Sequence, residues 1–397
     1  MLARIAAQAG TPVFVYSADA IRSQHAALTG ALAAVPHRVH YSVKANSSLG
    51  VLDVVRRLGM GADIVSAGEL ARALRAGFVP EHMVFSGVGK TPAELATAVD
   101  ARIGLINLES EAEFATLAAI ARDRGRRDVA VGIRVNPDVT TDTHPYTQTG
   151  KAGMKFGVPL DQVIPLAQRV KESAQARLVS VGMHIGSQIT DSAPYRSGAE
   201  KLSGLVVQLR RAGIGSLVSV DVGGGLGIDY GCEPGLEAAA FANAVAPLAQ
   251  QTGLLLLIEP GRFLVGNAGV LLTRVLYQKR SGGREFVVTD AGMNDFMRPS
   301  LYRAYHEIQV VSEAPLDFAR PRSTPLAGRE GGAEGLVDIV GPNCESGDYL
   351  GLERALPGAV PGALLAVLGA GAYGFGMSSH YNSRPRAAEV LVDGRRF

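Results

Sequence analysis

The chain has 397 residues, with 39 Lys plus Arg set against 37 Asp plus Glu. That near-balance argues against a nucleic-acid partner or a membrane surface, and the length suits one large globular domain or two moderate ones. The two cysteines, Cys232 and Cys344, match no metal-ligand spacing and no disulfide framework, so no metal site is expected and a reducing cytoplasm is the simplest setting. Met1 to Thr11 lack the apolar core of a signal peptide, and the most apolar long stretch, 363–377, is too short for a membrane span and is interrupted by glycines.

In chain order, a first β-rich run at 13–16 precedes a long alternation of short β-rich runs and longer helical patterns. The predicted strands are 39–43, 62–65, 83–86, 104–108, 129–135, 178–184, 217–222 and 254–259. Stretches with Ala, Leu, Glu and Arg at helical spacing follow the first seven, for example 67–76 and 109–124. Such alternation predicts a parallel sheet, and eight units predict an α/β fold of the (β/α)8 barrel kind, with an open doubly wound sheet as the alternative. Beyond Gly261 the pattern changes. β-rich runs at 270–277, 285–289, 307–311, 336–340, 364–368 and 389–392 are separated by turn signals, which predicts a second, mainly β domain of barrel or sandwich type. The expected division is 25–268 for the barrel and 1–24 with 269–397 for the β domain. The run at 13–16 is then a candidate to join the second sheet. Two polar stretches read as loops: 313–335, rich in Pro, Gly, Arg and Glu, and 137–153, which is long enough to cover a site.

Barrel chemistry sits at the C-terminal ends of the strands, and the unusual residues fall there. Lys44 follows the first strand, Asp63 and Ser66 the second, Arg134 ends the fifth and His184 the sixth; Gly223, Gly224 and Gly225 follow the seventh, and Glu259 to Arg262 the eighth. A lysine just past a buried strand can simply reach solvent; in a partly desolvated pocket it has a lowered pKa and forms Schiff bases. The glycine run resembles a dinucleotide fingerprint, but it lies at the seventh strand, where barrels hold phosphate. Backbone N–H groups there can approach phosphate oxygens. Glu259 closes the apolar run 254–258, where a carboxylate must be neutral or paired, and a protonated pyridine nitrogen is a suitable partner. His184 could be a core histidine, yet the Gly186-Ser187 pair after it suits phosphate contact. Cys344 stands among Glu345, Ser346 and Asp348, which is no apolar core, and a thiol there is a reasonable proton donor to a carbanion.

Taken together, residues 41–46, 184–188, 223–227, 259–262, 344–348 and 371–374 resemble, in order, the motifs of the fold-type III pyridoxal-phosphate (PLP) decarboxylases of the ornithine/diaminopimelate group. Residues 85–90, 143–146 with 155–157, 290–295 with Arg298 and Pro299, and 381–386 look like the diaminopimelate branch. The resemblance implies a barrel-plus-β subunit, a homodimer with active sites at the subunit interface, PLP as cofactor, and decarboxylation of meso-2,6-diaminopimelate to L-lysine. It implies that Lys44 links to the cofactor, that His184 stacks on its ring and that Glu259 binds its nitrogen. Asp63 would also bind the cofactor. Ser187, Gly224, Gly225, Gly261 and Arg262 would hold the phosphate, with Tyr373 assisting. Arg262, Arg298, Tyr302 and Tyr373 would bind the small-molecule substrate, and Cys344 and Glu345 would come from the partner subunit. Gly369 departs from the pattern, since Asp is expected before Ala370. Decarboxylation of another diamino acid or natural-product precursor, PLP-dependent racemisation, a non-catalytic PLP carrier and a nicotinamide dehydrogenase are the alternatives. The full second domain with its Cys344 and Tyr373 motifs speaks against the carrier.

Overall fold

The structure, a computed structural model, describes residues 1–144, 146, 149–151, 153–312 and 335–397. It forms two compact units, one of Met1–Gln24, Ile228–Gly235 and Arg262–Phe397, the other of His25–Gly227 and Leu236–Gly261. Strand β1 (Val13–Ser17) belongs to the former.

The barrel unit is built on β2 (His37–Ser42), β3 (Gly61–Ile64), β4 (Met83–Phe85), β5 (Leu105–Leu108), β6 (Val129–Asn136), a two-residue spur β7 (Val158–Pro159), β8 (Ala176–Gly182), β9 (Ser219–Asp221) and β10 (Leu255–Ile258). All pairings are parallel, and β10 pairs with β2, so the eight main strands close on themselves. That closure removes the doubly wound alternative. Strands buried on both faces need near-continuous apolar sequence, which is why Leu255–Ile258 reads as it does. The helices between them start on local signals. Thr91 accepts from the Glu94 amide while Glu94 returns to the Thr91 amide, with Pro92 in the first turn. Ser66 and Ser110 cap the helices Ala67–Arg75 and Glu111–Asp123. Ser66, which the sequence places among the unusual rim residues, is therefore a helix cap.

The second unit carries a mixed sheet: β11 (Gly269–Ser281), β12 (Arg284–Thr289), β13 (Ile308–Val310), β14 (Leu336–Val340), β15 (Tyr349–Ala355), β16 (Leu364–Val367) and β17 (Ala388–Val392). Strand β11 bends at a bulge between Val275 and Tyr277, pairing with β1 and β16 before it and mainly with β12 after it. Strand β1 lies between β11 and β17, and Val13, Val15, Val270, Leu272 and Val392 share one core with Leu2 and Ile5 of the helix Leu2–Ala9. Strand β15 has no counterpart in the sequence prediction. Among the described residues it pairs only with β14, as an edge strand, and its Gly351, Glu353 and Arg354 carry no β signal. The polar stretch 313–334 lies outside the described residues.

Candidate active site

In the barrel unit, a cavity of about 370 Å³ opens at the C-terminal ends of the strands, lined by residues that include Lys44, Ser86, Asn107, Arg134, His184, Asp221 and Glu259. At its edge Lys44 Nζ donates to Asp63 Oδ2 over 2.9 Å; the Asp63 side chain is fully buried, whereas that of Lys44 is 33% exposed. The Ser42 hydroxyl stands 2.8 Å from the same Asp63 oxygen and 2.9 Å from the Glu259 carbonyl, tying β2, β3 and the end of β10 together. Gly261 is required by the same contact, because a Cβ there would stand 2.9 Å from the Ala45 Cβ and 3.0 Å from that of Ser42.

Three carboxylates are buried here, Asp63, Asp221 and Glu259. Burial pushes Glu259 well above the ordinary carboxylate range, and the charges of Asp221 and Asp63 push it further against the opposing effect of Lys44. Asp221 is raised for the same first reason, although the Gly223 amide at 2.8 Å and a hydrogen bond from Glu259 favour its ionised form. The proton of the pair therefore sits on Glu259, which donates to Asp221. Glu259 Oε1 is buried with no hydrogen-bond partner among the described residues. Such an orphan oxygen, with one amine and two further carboxyl groups acting on it, suits a ligand nitrogen that carries a proton.

The loops after β8 and β9 are locked to each other. Ile189 donates to the Gly225 carbonyl over 2.9 Å, Gly227 to the Ile189 carbonyl over 2.8 Å, and Tyr195 Oη to the Gly224 carbonyl over 2.9 Å. Gly225 has φ +96° and a Cβ on it would stand 2.2 Å from the Gly186 carbonyl oxygen, so only glycine serves. Ser187 lies in the first of these loops, next to Gln188 at φ 62°. The Gly224 amide donates to His184 Nδ1 over 3.2 Å, which puts the ring proton on Nε2. Desolvation, then the charges of Lys44 and Arg134, hold His184 well below its usual pKa, so the ring is neutral. Thr149 donates to the His184 carbonyl over 2.7 Å and lines the cavity, while Lys201 grips the carbonyls of Pro137 and Asp138. Both described ends of the 137–153 stretch are thus tied down, the Thr149 end at the cavity. The opposite wall rests on Lys90, whose buried ammonium meets Glu113 at 2.6 Å and the carbonyls of Gly87 and Asn107 at 2.7 and 2.8 Å.

In the second unit, Arg262, Arg298, Tyr302 and Tyr373 come together with two residues that the sequence reading did not single out, Tyr230 and His306. Arg262 bonds Tyr230 Oη and lies 4.7 Å from the Tyr373 ring; Arg298 lies 5.1 Å from the Tyr230 ring and 5.7 Å from that of Tyr302. Both arginines are buried, at 5% and 6% exposure. Burial first, then Arg262, lowers the Arg298 pKa; Tyr230, Tyr373 and Tyr302 oppose them, and among the described residues no carboxylate is in that set. Gly369, at φ +66°, faces the Tyr230 ring, and a Cβ would stand 2.9 Å from it, so the Asp expected at this position has no room. Cys344 and Glu345 are exposed on a turn whose backbone is held firmly: Asn382 Oδ1 accepts from the Cys344 amide over 2.8 Å, and the buried Asp348 accepts from the Asn343 and Met293 amides over 2.6 Å each.

Tyr230 and His306 stand alone in irregular segments, where no periodicity marks them; Asp221 was visible only as the opening of the glycine run. No helix among the described residues is long and apolar enough to cross a membrane, and among them no cluster of His, Cys, Asp and Glu could hold a metal ion.

Residues 18–266 match the family described as pyridoxal-dependent decarboxylase, pyridoxal binding domain. The chain is 46% identical to a diaminopimelate decarboxylase of Pseudomonas aeruginosa over 99% of its own length and 90% of that protein, and 42% identical to one of Aquifex aeolicus over 99% and 89%. The crystal structure of diaminopimelate decarboxylase from Helicobacter pylori complexed with L-lysine superposes with a TM-score of 0.90, at 36% identity, covering 99% of this chain and 94% of that one. With such agreement along nearly its whole length, the chain belongs to the pyridoxal-dependent decarboxylase family.

Proposed function

We propose that this protein decarboxylates meso-2,6-diaminopimelate to L-lysine and carbon dioxide, the step that completes lysine synthesis, with PLP as cofactor. The observation that carries the substrate choice is the pair of buried guanidiniums, Arg262 and Arg298, in a box of tyrosines. A decarboxylase of ornithine type must receive a distal ammonium, which two arginines would repel. A distal carboxylate, as in diaminopimelate, is what they attract. The similarity to enzymes named diaminopimelate decarboxylase, one of them solved with L-lysine, supports the same choice.

The barrel residues fit the cofactor. Lys44 Nζ is the amine that would bond it, and Asp63 holds that amine at the cavity edge. Glu259 Oε1 would face the pyridine nitrogen, the neutral His184 ring would lie against the pyridine, and Ser187 with the backbone of Gly224, Gly225, Gly261 and Arg262 would hold the phosphate, assisted by Tyr373. When bound, PLP supplies an electron sink for the carbanion left as carbon dioxide departs. Glu259 Oε1 would accept from the proton on that nitrogen, and the single negative charge that Glu259 and Asp221 share would hold the proton there. Arg262, Arg298, Tyr302 and Tyr373 hold the far end of the substrate. Cys344 Sγ returns a proton to the carbon, with Glu345 beside it.

The reading extends to a cytoplasmic homodimer. Cys344 and Glu345 are exposed although their turn is rigidly built. A partner subunit that receives them would bury them in its site. A bacterial strain that needs lysine because it cannot decarboxylate diaminopimelate tests the function in cells. Growth without lysine on expression of this chain, lost with Lys44→Ala, is the expected result; no growth despite ample PLP-loaded protein would count against the substrate.

A further inference from the structure

We infer that His306 is a positioning residue for Arg298, fixing the guanidinium so that both terminal nitrogens face the distal carboxylate of the substrate; this rests on the reading of Arg298 given above. The geometry begins with a strand pair. Ile308 of β13 stands opposite Val367 of β16, and Leu368 N donates to the Glu307 carbonyl over 2.8 Å. That register carries the His306 ring to the end of β16, where Nδ1 lies 2.9 Å from the Leu368 carbonyl oxygen. A carbonyl only accepts, so Nδ1 carries the ring proton and Nε2 presents a lone pair. Arg298 Nε donates to that lone pair over 3.2 Å.

The ring cannot turn away. It is fully buried, with Tyr230 at 4.7 Å and Phe296 at 4.6 Å, both edge-on. Nor does it ionise readily, since burial and the charges of Arg298 and Arg262 hold its pKa well below the usual value. A protonated ring would turn an N–H toward the Arg298 N–H and place a second cation beside it. The neutral ring therefore occupies one donor of a five-donor fork and leaves the terminal edge, which is the edge that matches a carboxylate with two parallel hydrogen bonds. Among the described residues, Arg298 Nη1 and Nη2 have no hydrogen-bond partner. Nothing else in the chemistry described needs a histidine at this place.

The test compares His306→Asn, which keeps a donor near Nδ1 but loses the acceptor for Arg298, with His306→Gln, which restores an acceptor near Nε2. Both are assayed as PLP-loaded enzyme, alongside Arg298→Ala and the double variant Arg298→Ala/His306→Asn. The expected result is a KM for meso-diaminopimelate raised ~10-fold or more in His306→Asn, with kcat and the PLP absorbance little changed and KM largely restored in His306→Gln. In the Arg298→Ala background the Asn substitution should add nothing, because the residue it positions is gone. Equal losses in the Asn and Gln variants, or a further loss in the double variant, would overturn the inference. A normal KM in His306→Asn with a raised KM in Arg298→Ala would overturn it while leaving the role of Arg298 standing. A normal KM in Arg298→Ala would instead remove the reading on which it rests.

Discussion

Lys44 Nζ and Asp63 Oδ2 stand 2.9 Å apart, with the carboxylate fully buried and the amine opening on the cavity. Asp63 also accepts from Ser42, so the carboxylate is held from two sides while the amine remains accessible from the cavity. An amine anchored in this way is held near one position before any ligand arrives. Lys44→Ala should abolish covalent attachment of PLP: borohydride treatment of the loaded variant should leave no label on the chain by mass spectrometry, with turnover lost. Asp63→Ala should retain the label but lower kcat about 100-fold, on the scale of a misplaced acid–base group.

Glu259 and Asp221 share one proton, and both have raised pKa values in the fold. The sign follows from linkage. A carboxyl whose folded pKa exceeds its unfolded one, near 4.3 for Glu, contributes fully below that value and loses the contribution as pH rises through the folded pKa. Glu259→Gln should therefore gain stability relative to the parent as pH climbs from about 4 toward neutrality, measured by urea denaturation of cofactor-free protein. A difference that is flat with pH would contradict the proton placement. The same variant, loaded with PLP, should lose kcat by about 100-fold or more, since the carboxyl whose charge holds the proton on the pyridine nitrogen is gone.

Arg298→Ala should cut kcat/KM for meso-diaminopimelate by about 100-fold, the scale of losing a charged, paired hydrogen bond of ~3 kcal/mol. It should leave any residual action on a substrate with a distal ammonium unchanged or improved. Side-by-side kinetics on the two substrates measures this; an equal loss on both would remove the charge argument for the substrate.

Cys344→Ala should bind PLP normally and turn over poorly. If Cys344 serves the partner's site, mixing inactive Lys44→Ala and Cys344→Ala subunits should restore activity, because half the dimers would be hybrids with one intact site each. Recovery approaching about a quarter of the parental activity is expected after denaturation and joint refolding. No recovery, with hybrid dimers shown to form, would place each thiol at its own subunit's site.

How much of this was legible in the sequence depended on the physical signal each part leaves. The barrel strands were readable because strands buried on both faces must be apolar throughout. Lys44, His184 and Glu259 were visible as polar residues at the ends of such runs. Strand β15 was not, because an edge strand with Leu352 and Glu353 both exposed, and a half-buried Arg354 after them, has no alternating burial pattern to betray it. Tyr230 and His306 were invisible for a different reason. Their roles come from non-local packing: Tyr230 sits against Gly369, and His306 reaches Arg298 only because β13 and β16 pair. The departure at Gly369 shows the same limit. Read along the chain it is a missing carboxylate; in the fold it is the space that admits the Tyr230 ring.

The most direct test of the account is the product formed by purified, PLP-loaded protein given meso-2,6-diaminopimelate. One L-lysine and one carbon dioxide per substrate consumed, with Lys44→Ala inert, is the predicted result. Consumption without lysine, or no reaction from a protein that demonstrably carries PLP on Lys44, would contradict it.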